Sequence, residues 1–168
     1  MITYAGIGAR DTPPEILARM IKLGKFMAIQ GAMLHSGGAS GADAAFEEGC
    51  DYAQGFKRIY LPWEMFKNNG SEFFEPSREA FLIAQKYHPK WEFLLPHVRQ
   101  LMARTSHVML GPQCNSRVRF VACWTKGGEI VGGTGQALRI ATDLNIPILN
   151  FASMSLESIS EQVKDMLH

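Results

Sequence analysis

Ser36-Gly37-Gly38-Ala39-Ser40-Gly41-Ala42-Asp43 lies between an apolar, strand-like run and a helical one. Three glycines in five positions let the backbone approach a ligand closely and take φ > 0 where a turn needs it. The helix that follows directs unpaired N–H groups and the positive end of its dipole into the same space, which suits a phosphate or another anion. Two further clusters repeat the arrangement. Gly6-Ile7-Gly8-Ala9-Arg10 ends the strand-like Ile2–Ile7, and Gly132-Gly133-Thr134-Gly135 opens a helix that runs to about Leu144. In an open α/β sheet, ligands bind beyond the carboxyl ends of the strands, where such loops converge. Three glycine loops in that position point to one shared cleft.

The segments around these loops supply the rest of the pattern. Thr12-Pro13-Pro14-Glu15 reads as a helix start, with Thr12 as the cap and Glu15 completing a capping box. Ile16, Met20, Leu23 and Met27 then recur at helical spacing until Gly31. A strand is expected over Ala32–His35, a helix from about Gly41 to Gln54, and a third strand over Lys57–Leu61, closed by Pro62. Strand, helix, strand, helix, strand at this spacing implies a right-handed, mostly parallel α/β sheet. From Trp63 to about Pro89 the regularity breaks into a segment rich in aromatic and charged residues, with Lys67-Asn68-Asn69-Gly70 as a loop tip and one helix around Ser77–Tyr87. It reads as an insertion packed over the cleft, within a single domain spanning 1–168. A helix over Pro96–Leu110, strands over Arg117–Cys123 and Ile146–Phe151, and a closing helix over Leu156–Leu167 complete the expected order.

Composition narrows the partners. Seventeen basic residues against sixteen acidic give a net charge of +1, so the whole molecule is not drawn to nucleic acid. Between Arg78 and Lys126, however, basic residues far outnumber Glu79 and Glu92, which leaves room for a local basic face. Cys50, Cys114 and Cys123 show no metal-type spacing and read as core thiols of a reducing compartment. No charged leader precedes an apolar run at the N-terminus, and no apolar stretch is long enough to span a bilayer. A cytoplasmic protein without membrane contact is expected. Neither a metal nor a cofactor is expected: no Walker-type lysine follows the glycines, and Asp11 stands where a dinucleotide fingerprint has its third glycine.

Several side chains can carry chemistry in the cleft. Asp43 and Glu47 lie four apart on the second helix, so both carboxylates share a face. Asp43 can accept from sugar hydroxyls or from N–H groups of a neighbouring loop, or it can serve only to lock the Ser40–Asp43 turn. Glu47 can act as general acid, base or nucleophile at a glycosidic carbon, or be a plain helix-surface carboxylate beside Glu48. Arg10, at a strand end, suits bidentate phosphate binding. Trp124 closes the fourth strand, where its indole can stack on a base or plug the strand end. Thr134 caps the last glycine loop and can donate to an anion. Arg104 can reach the site or simply complement its helix C-terminus, and His97 and His107 are weighed as catalytic or packing histidines.

The three glycine motifs together resemble the SLOG superfamily, which joins the DNA-processing protein DprA (also called Smf) to the LOG-type nucleotide phosphoribohydrolases. The resemblance covers Ile2–Leu61 and Val118–Phe151 and suggests a compact, stand-alone member of bacterial or phage type. It implies a Rossmann-like three-layer αβα sandwich that binds nucleotides or nucleic acid as a homo-oligomer. Gly6, Gly8, Arg10, Ser36, Gly37, Gly38, Gly41, Asp43, Trp124, Gly132, Gly133, Thr134 and Gly135 would bind the ligand, and Glu47 and Asp43 would serve any hydrolysis or transfer at an N-glycosidic bond. The first two motifs resemble DprA, except that DprA has a histidine where this chain has Glu47. The last keeps the LOG glycines but has Val131, Gln136 and Arg139 at the LOG proline, threonine and glutamate positions. Three functions follow: a nucleotide-type ligand with or without turnover, a DprA-like single-stranded DNA binder with Arg99, Arg104, Arg117 and Arg119 on one face, or a non-catalytic nucleotide sensor.

Overall fold

The computed structural model describes all residues, 1–168. Its five strands are β1 (Thr3–Gly6), β2 (Met33–Ser36), β3 (Phe56–Ile59), β4 (Val121–Cys123) and β5 (Ile148–Asn150). They form one sheet in the order β3-β2-β1-β4-β5, with every neighbouring pair parallel. The helices are α1 (Pro14–Ile29), α2 (Ala42–Tyr52), α3 (Arg78–Tyr87), α4 (Pro96–Leu110), α5 (Gly132–Asp143) and α6 (Leu156–Met166). The expected α/β sandwich is the observed one, and its sheet is wholly rather than mostly parallel. No helix is long and apolar enough to cross a membrane.

Side-chain parity along the strands builds the layers. Tyr4, Leu34, Ile59, Ala122 and Leu149 share one buried cluster with Met20, Leu23 and Met27 of α1, Phe46 of α2 and Ile159 of α6. Their neighbours Ala5, Tyr60, Val121 and Cys123 turn to the opposite face and pack with Val108 and Met109 of α4 and Leu138 and Ile140 of α5. Successive strand residues point to opposite faces, so a parallel sheet covered on both sides needs apolar residues at both parities. Each large side chain so buried contributes about 1.5–3 kcal/mol of transfer free energy.

The strand order positions the site. From β1 the chain winds outward to β2 and β3, then crosses over to β4 on the other side of β1. The loops after β1 and β4 therefore leave in opposite directions and open a crevice between them.

The insertion divides into two parts. After β3, Phe73 adds an isolated parallel bridge to Tyr60, and a tight turn at Phe66–Asn68 carries Met65, Lys67 and Asn68 at φ of +59°, +51° and +60°. Helix α3 then sets Ala80 and Ala84 against Met102 and Ala103 of α4. One expectation about helix starts fails. Pro13, not Thr12, occupies the cap position of α1, and no side chain caps that end. Thr12 instead donates to Ala9 O at 2.6 Å, closing the turn that follows β1. Local propensity yields here to the geometry of the first glycine loop.

Candidate ligand cleft

The loops at the carboxyl ends of β1 and β2 are locked together by their own polar groups. Ser36 Oγ donates to Gly6 O at 2.6 Å. The Asp43 carboxylate accepts from Gly8 N–H and Ala39 N–H, each at 3.3 Å, and so ties the first loop to the second. Ala9 N–H donates in turn to Trp124 O at 3.2 Å, which anchors the first loop to the end of β4. The glycines permit this contact. A Cβ at Gly41 would lie 2.5 Å from Arg10 O, one at Gly8 2.6 Å from Ala42 Cβ, and one at Gly6 2.5 Å from the Phe46 ring. Gly38 has φ of +71° and presses on Leu61, while Gly135 abuts Ile130. Gly132 (φ +66°) and Gly133 instead face open space. They lie within the first turn of α5 rather than in a loop before it, and no side chain caps that turn.

Between these elements lies a cleft of about 540 Å³. It is lined by Ile7–Arg10 with Gly37, Ala39 and Asp43 and by the stripe Leu101, Arg104, Thr105 and Val108 of α4. Trp63, Phe66 and Lys67 of the insertion line it too, as do Gly133 and Thr134 of α5. An open trough of about 710 Å³, lined by Ser40, Thr125, Lys126 and Gly132 among others, adjoins it and shares Ala9, Arg10, Gly133 and Thr134.

The electrostatics are one-sided. Asp43 is the single carboxylate on the cleft wall, and it is only 5% exposed. Burial pushes its carboxyl up to about 6, against the pull of the Arg104 guanidinium and of backbone N–H groups from Ala39, Gly8 and Gly37. Arg104 Nη1 donates to Gly37 O and Nε to Leu101 O (3.3 Å), and the guanidinium lies over the Phe66 ring, 5.7 Å from its centroid. Burial lowers the Arg104 pKa, and Asp43 offsets this in part. The ion pairs of the chain involve only Lys57, so Arg10, Lys67 and Arg104 line the cleft without a salt-bridge partner.

Gly8, Arg10, Gly37, Asp43, Gly133 and Thr134 therefore meet at one cavity. Gly132 joins the trough, and Gly6, Ser36, Gly38, Gly41 and Gly135 frame the loops from behind. Thr134 lines both spaces without capping α5.

Two expected site residues stand elsewhere. Trp124 shares the parity of Ala122, so its indole packs on the α1–α2 side of the sheet while only its backbone reaches the first loop. Glu47 lies one turn, about 6 Å, further along α2 than Asp43. There it pairs with Lys57 Nζ at 2.8 Å and accepts from Asn69 Nδ2 at 3.0 Å, beside β3 and outside the cleft. The proposed basic face also disperses. Arg99 donates to Trp91 O, Arg117 to Leu144 O, and Arg119 precedes β4 at the end of the sheet opposite the cleft. Of the histidines, His97 lines the cleft. His107 accepts from Ser77 N–H through Nε2 (3.1 Å), which leaves Nδ1 to donate to Gly111 O (3.0 Å), a packing role.

Sequence reasoning did not single out Trp63, Phe66 and Lys67 as lining residues, although it laid their segment over the cleft. The α4 stripe carried a usable signal, because Leu101, Arg104, Thr105 and Val108 follow the i, i+3, i+4, i+7 spacing of one helix face.

No family model matches the chain, and no curated protein matches it. Solved structures do share its fold. The X-ray structure of TM1055, a structural-genomics target, superposes with a TM-score of 0.62 at 15% identity, covering 98% of this chain and 99% of that one. The molybdenum cofactor carrier protein of Chlamydomonas reinhardtii gives 0.60 at 14% identity, covering 99% and 98%. DNA processing protein A from Helicobacter pylori, solved for its mode of binding single-stranded DNA, gives 0.59 at 21% identity. That match covers 89% of this chain and 64% of the other. At these identities what is shared is the Rossmann-like fold.

Proposed function

We propose that the chain is a SLOG-type protein that binds a nucleotide-type ligand in the cleft between β1 and β4. The observation that carries this reading is the charge pattern. Arg10, Lys67 and Arg104 line a cavity whose only carboxylate, Asp43, is already occupied by backbone N–H groups. An anionic ligand completes such a site, and about 540 Å³ falls within the usual range for small-molecule pockets. Phosphate is assigned to Arg10 and the uncapped first turn of α5, where peptide dipoles and a guanidinium coincide. The base is assigned to Trp63 and Phe66 in place of Trp124. Any N-glycosidic hydrolysis or transfer falls to Asp43, since Glu47 is engaged outside the cleft. Binding without turnover, as in a sensor or carrier, uses the same contacts. The similarity to the molybdenum cofactor carrier protein supports a small-molecule ligand, and the superfamily reading carries with it a homo-oligomer.

The test is isothermal titration with nucleoside mono- and diphosphates. Removing a charge-assisted hydrogen bond costs about 1.5–3 kcal/mol, so Arg10→Ala and Arg104→Ala should each weaken affinity by roughly 10- to 100-fold. Glu47→Gln should leave it unchanged, and equal losses in all three variants would point to general unfolding instead.

The second reading, single-stranded DNA binding, is supported by the similarity to the Helicobacter pylori protein. It predicts a salt dependence of about 0.7 per neutralised phosphate. With three cations in the cleft the slope against log salt stays near −2. A slope of about −4 or steeper with oligo-dT would replace the small-ligand reading by the DNA one.

A further inference from the structure

The cleft does not end where a mononucleotide would. Ala9, Arg10, Gly133 and Thr134 line both it and the trough of about 710 Å³, so Arg10 and the start of α5 are the waist at which two spaces adjoin rather than the end of one. The two spaces differ in chemistry. The cleft is partly walled by Trp63, Phe66, Leu101 and Val108, whereas the trough presents Arg10, Lys126, Ser40, Thr125 and one carboxylate, Asp11, which can accept from hydroxyls, and has few apolar residues.

Thr125 gives the trough an independent mark of a polar occupant. It is 2% exposed and lines the trough, and its Oγ1 already accepts from Asn150 Nδ2 at 2.9 Å. The hydroxyl proton is left with no acceptor in the chain, and a buried donor without a partner is costly. Gly132 and Gly133 at the waist add to this, since no atom lies within 4 Å of where either Cβ would be. Lys126 is exposed at the trough rim and has no ion-pair partner.

Resting on the nucleotide reading of the cleft, we propose that the ligand is a nucleoside diphosphate conjugate. Its base and first sugar occupy the cleft, its diphosphate crosses the waist at Arg10, and a second hydroxyl-rich group fills the trough against Thr125 and Lys126. The diphosphate meets the Arg10 guanidinium at the waist, and beyond it Lys126 can donate to the hydroxyls of the second group. A polyol supplies the acceptor that the Thr125 proton lacks, and a terminal monophosphate would leave the trough to solvent.

The experiment compares affinities within matched sets: AMP, ADP and ADP-ribose; UMP, UDP and UDP-glucose; GMP, GDP and GDP-mannose. Calorimetry uses the full chain and Lys126→Ala, a substitution at an exposed side chain that has no ion-pair partner in the fold. In the set whose base is accepted, the conjugate should bind at least tenfold more tightly than the monophosphate. Lys126→Ala should erase most of that gain while changing the monophosphate affinity by less than twofold. A conjugate no tighter than its monophosphate, or a gain indifferent to Lys126→Ala, overturns the proposal. A diphosphate that binds as tightly as its conjugate overturns the polyol assignment. Failure of every compound in all three sets overturns the nucleotide reading itself, which separates that outcome from a failure of the trough alone.

Discussion

Asp43 shows how one side chain can be structural and electrostatic at once. Its two oxygens hold Gly8 and Ala39, so this carboxyl ties the first glycine loop to the second alongside the Ser36–Gly6 hydrogen bond. Burial raises its folded-state pKa from 3.8 to about 6. A raised carboxyl pKa means that the native state binds the proton more tightly than the unfolded chain does. The group's contribution to stability is therefore fully present below about pH 4 and is lost as pH rises through about 6. Relative to Asp43→Asn, the wild type should gain up to about 3 kcal/mol as pH falls from 7 to 4, from about two pH units at 1.36 kcal/mol each. Urea unfolding of both proteins across that range measures the gap, and a constant gap would mean that Asp43 titrates like an exposed aspartate. Acidification through the same range also removes the one negative charge of the cleft, so affinity for an anion should rise in the wild type and not in the variant.

At the scale of elements, helix starts separate what short sequence patterns specify from what packing imposes. Ser77 is the local case: its Oγ accepts from Ala80 N–H at 3.2 Å and caps α3. Ser77→Ala should cost about 1 kcal/mol and speed hydrogen exchange in α3 before the rest of the molecule. Thr12 carries the capping-box pattern with Glu15 but turns its hydroxyl to Ala9 O, because the loop after β1 must close beside β4. The glycine loops were legible as a candidate site because three of them recur at strand–helix junctions; one glycine-rich turn by itself also serves as a plain connection. Their internal division of labour was not legible. Gly6, Gly8 and Gly41 let backbone meet backbone or side chain at distances that no Cβ would tolerate, and those partners, Phe46, Ala42 and Arg10, are fixed only by the fold.

At the scale of the whole molecule, the two buried clusters on either face of the sheet act as one structure through the strands they share. Phe46 is fully buried, touches the space of Gly6 and packs edge-on to Tyr4, so it links α2 to the centre of the sheet directly beneath the first loop. Phe46→Ala should destabilise the protein by about 3–5 kcal/mol. Because the cavity would open next to Gly6, ligand affinity should fall together with the melting temperature. Full affinity at reduced stability would show that the loops are held by their hydrogen bonds alone.

The sequence by itself determined the α/β class, the order of its elements and a mostly parallel sheet, and it put the candidate cleft beyond the carboxyl ends of the strands. These follow from apolar periodicity, from helix and strand punctuation and from the handedness of the βαβ crossover, all of which act over short stretches of chain. The tertiary structure alone decided which side chains face the cleft. Strand parity turned Trp124 onto the α1–α2 face of the sheet, one helical turn carried Glu47 away to Lys57, and the insertion brought Phe66 against Arg104. Such assignments depend on contacts between residues far apart in the chain, whose geometry no local pattern encodes.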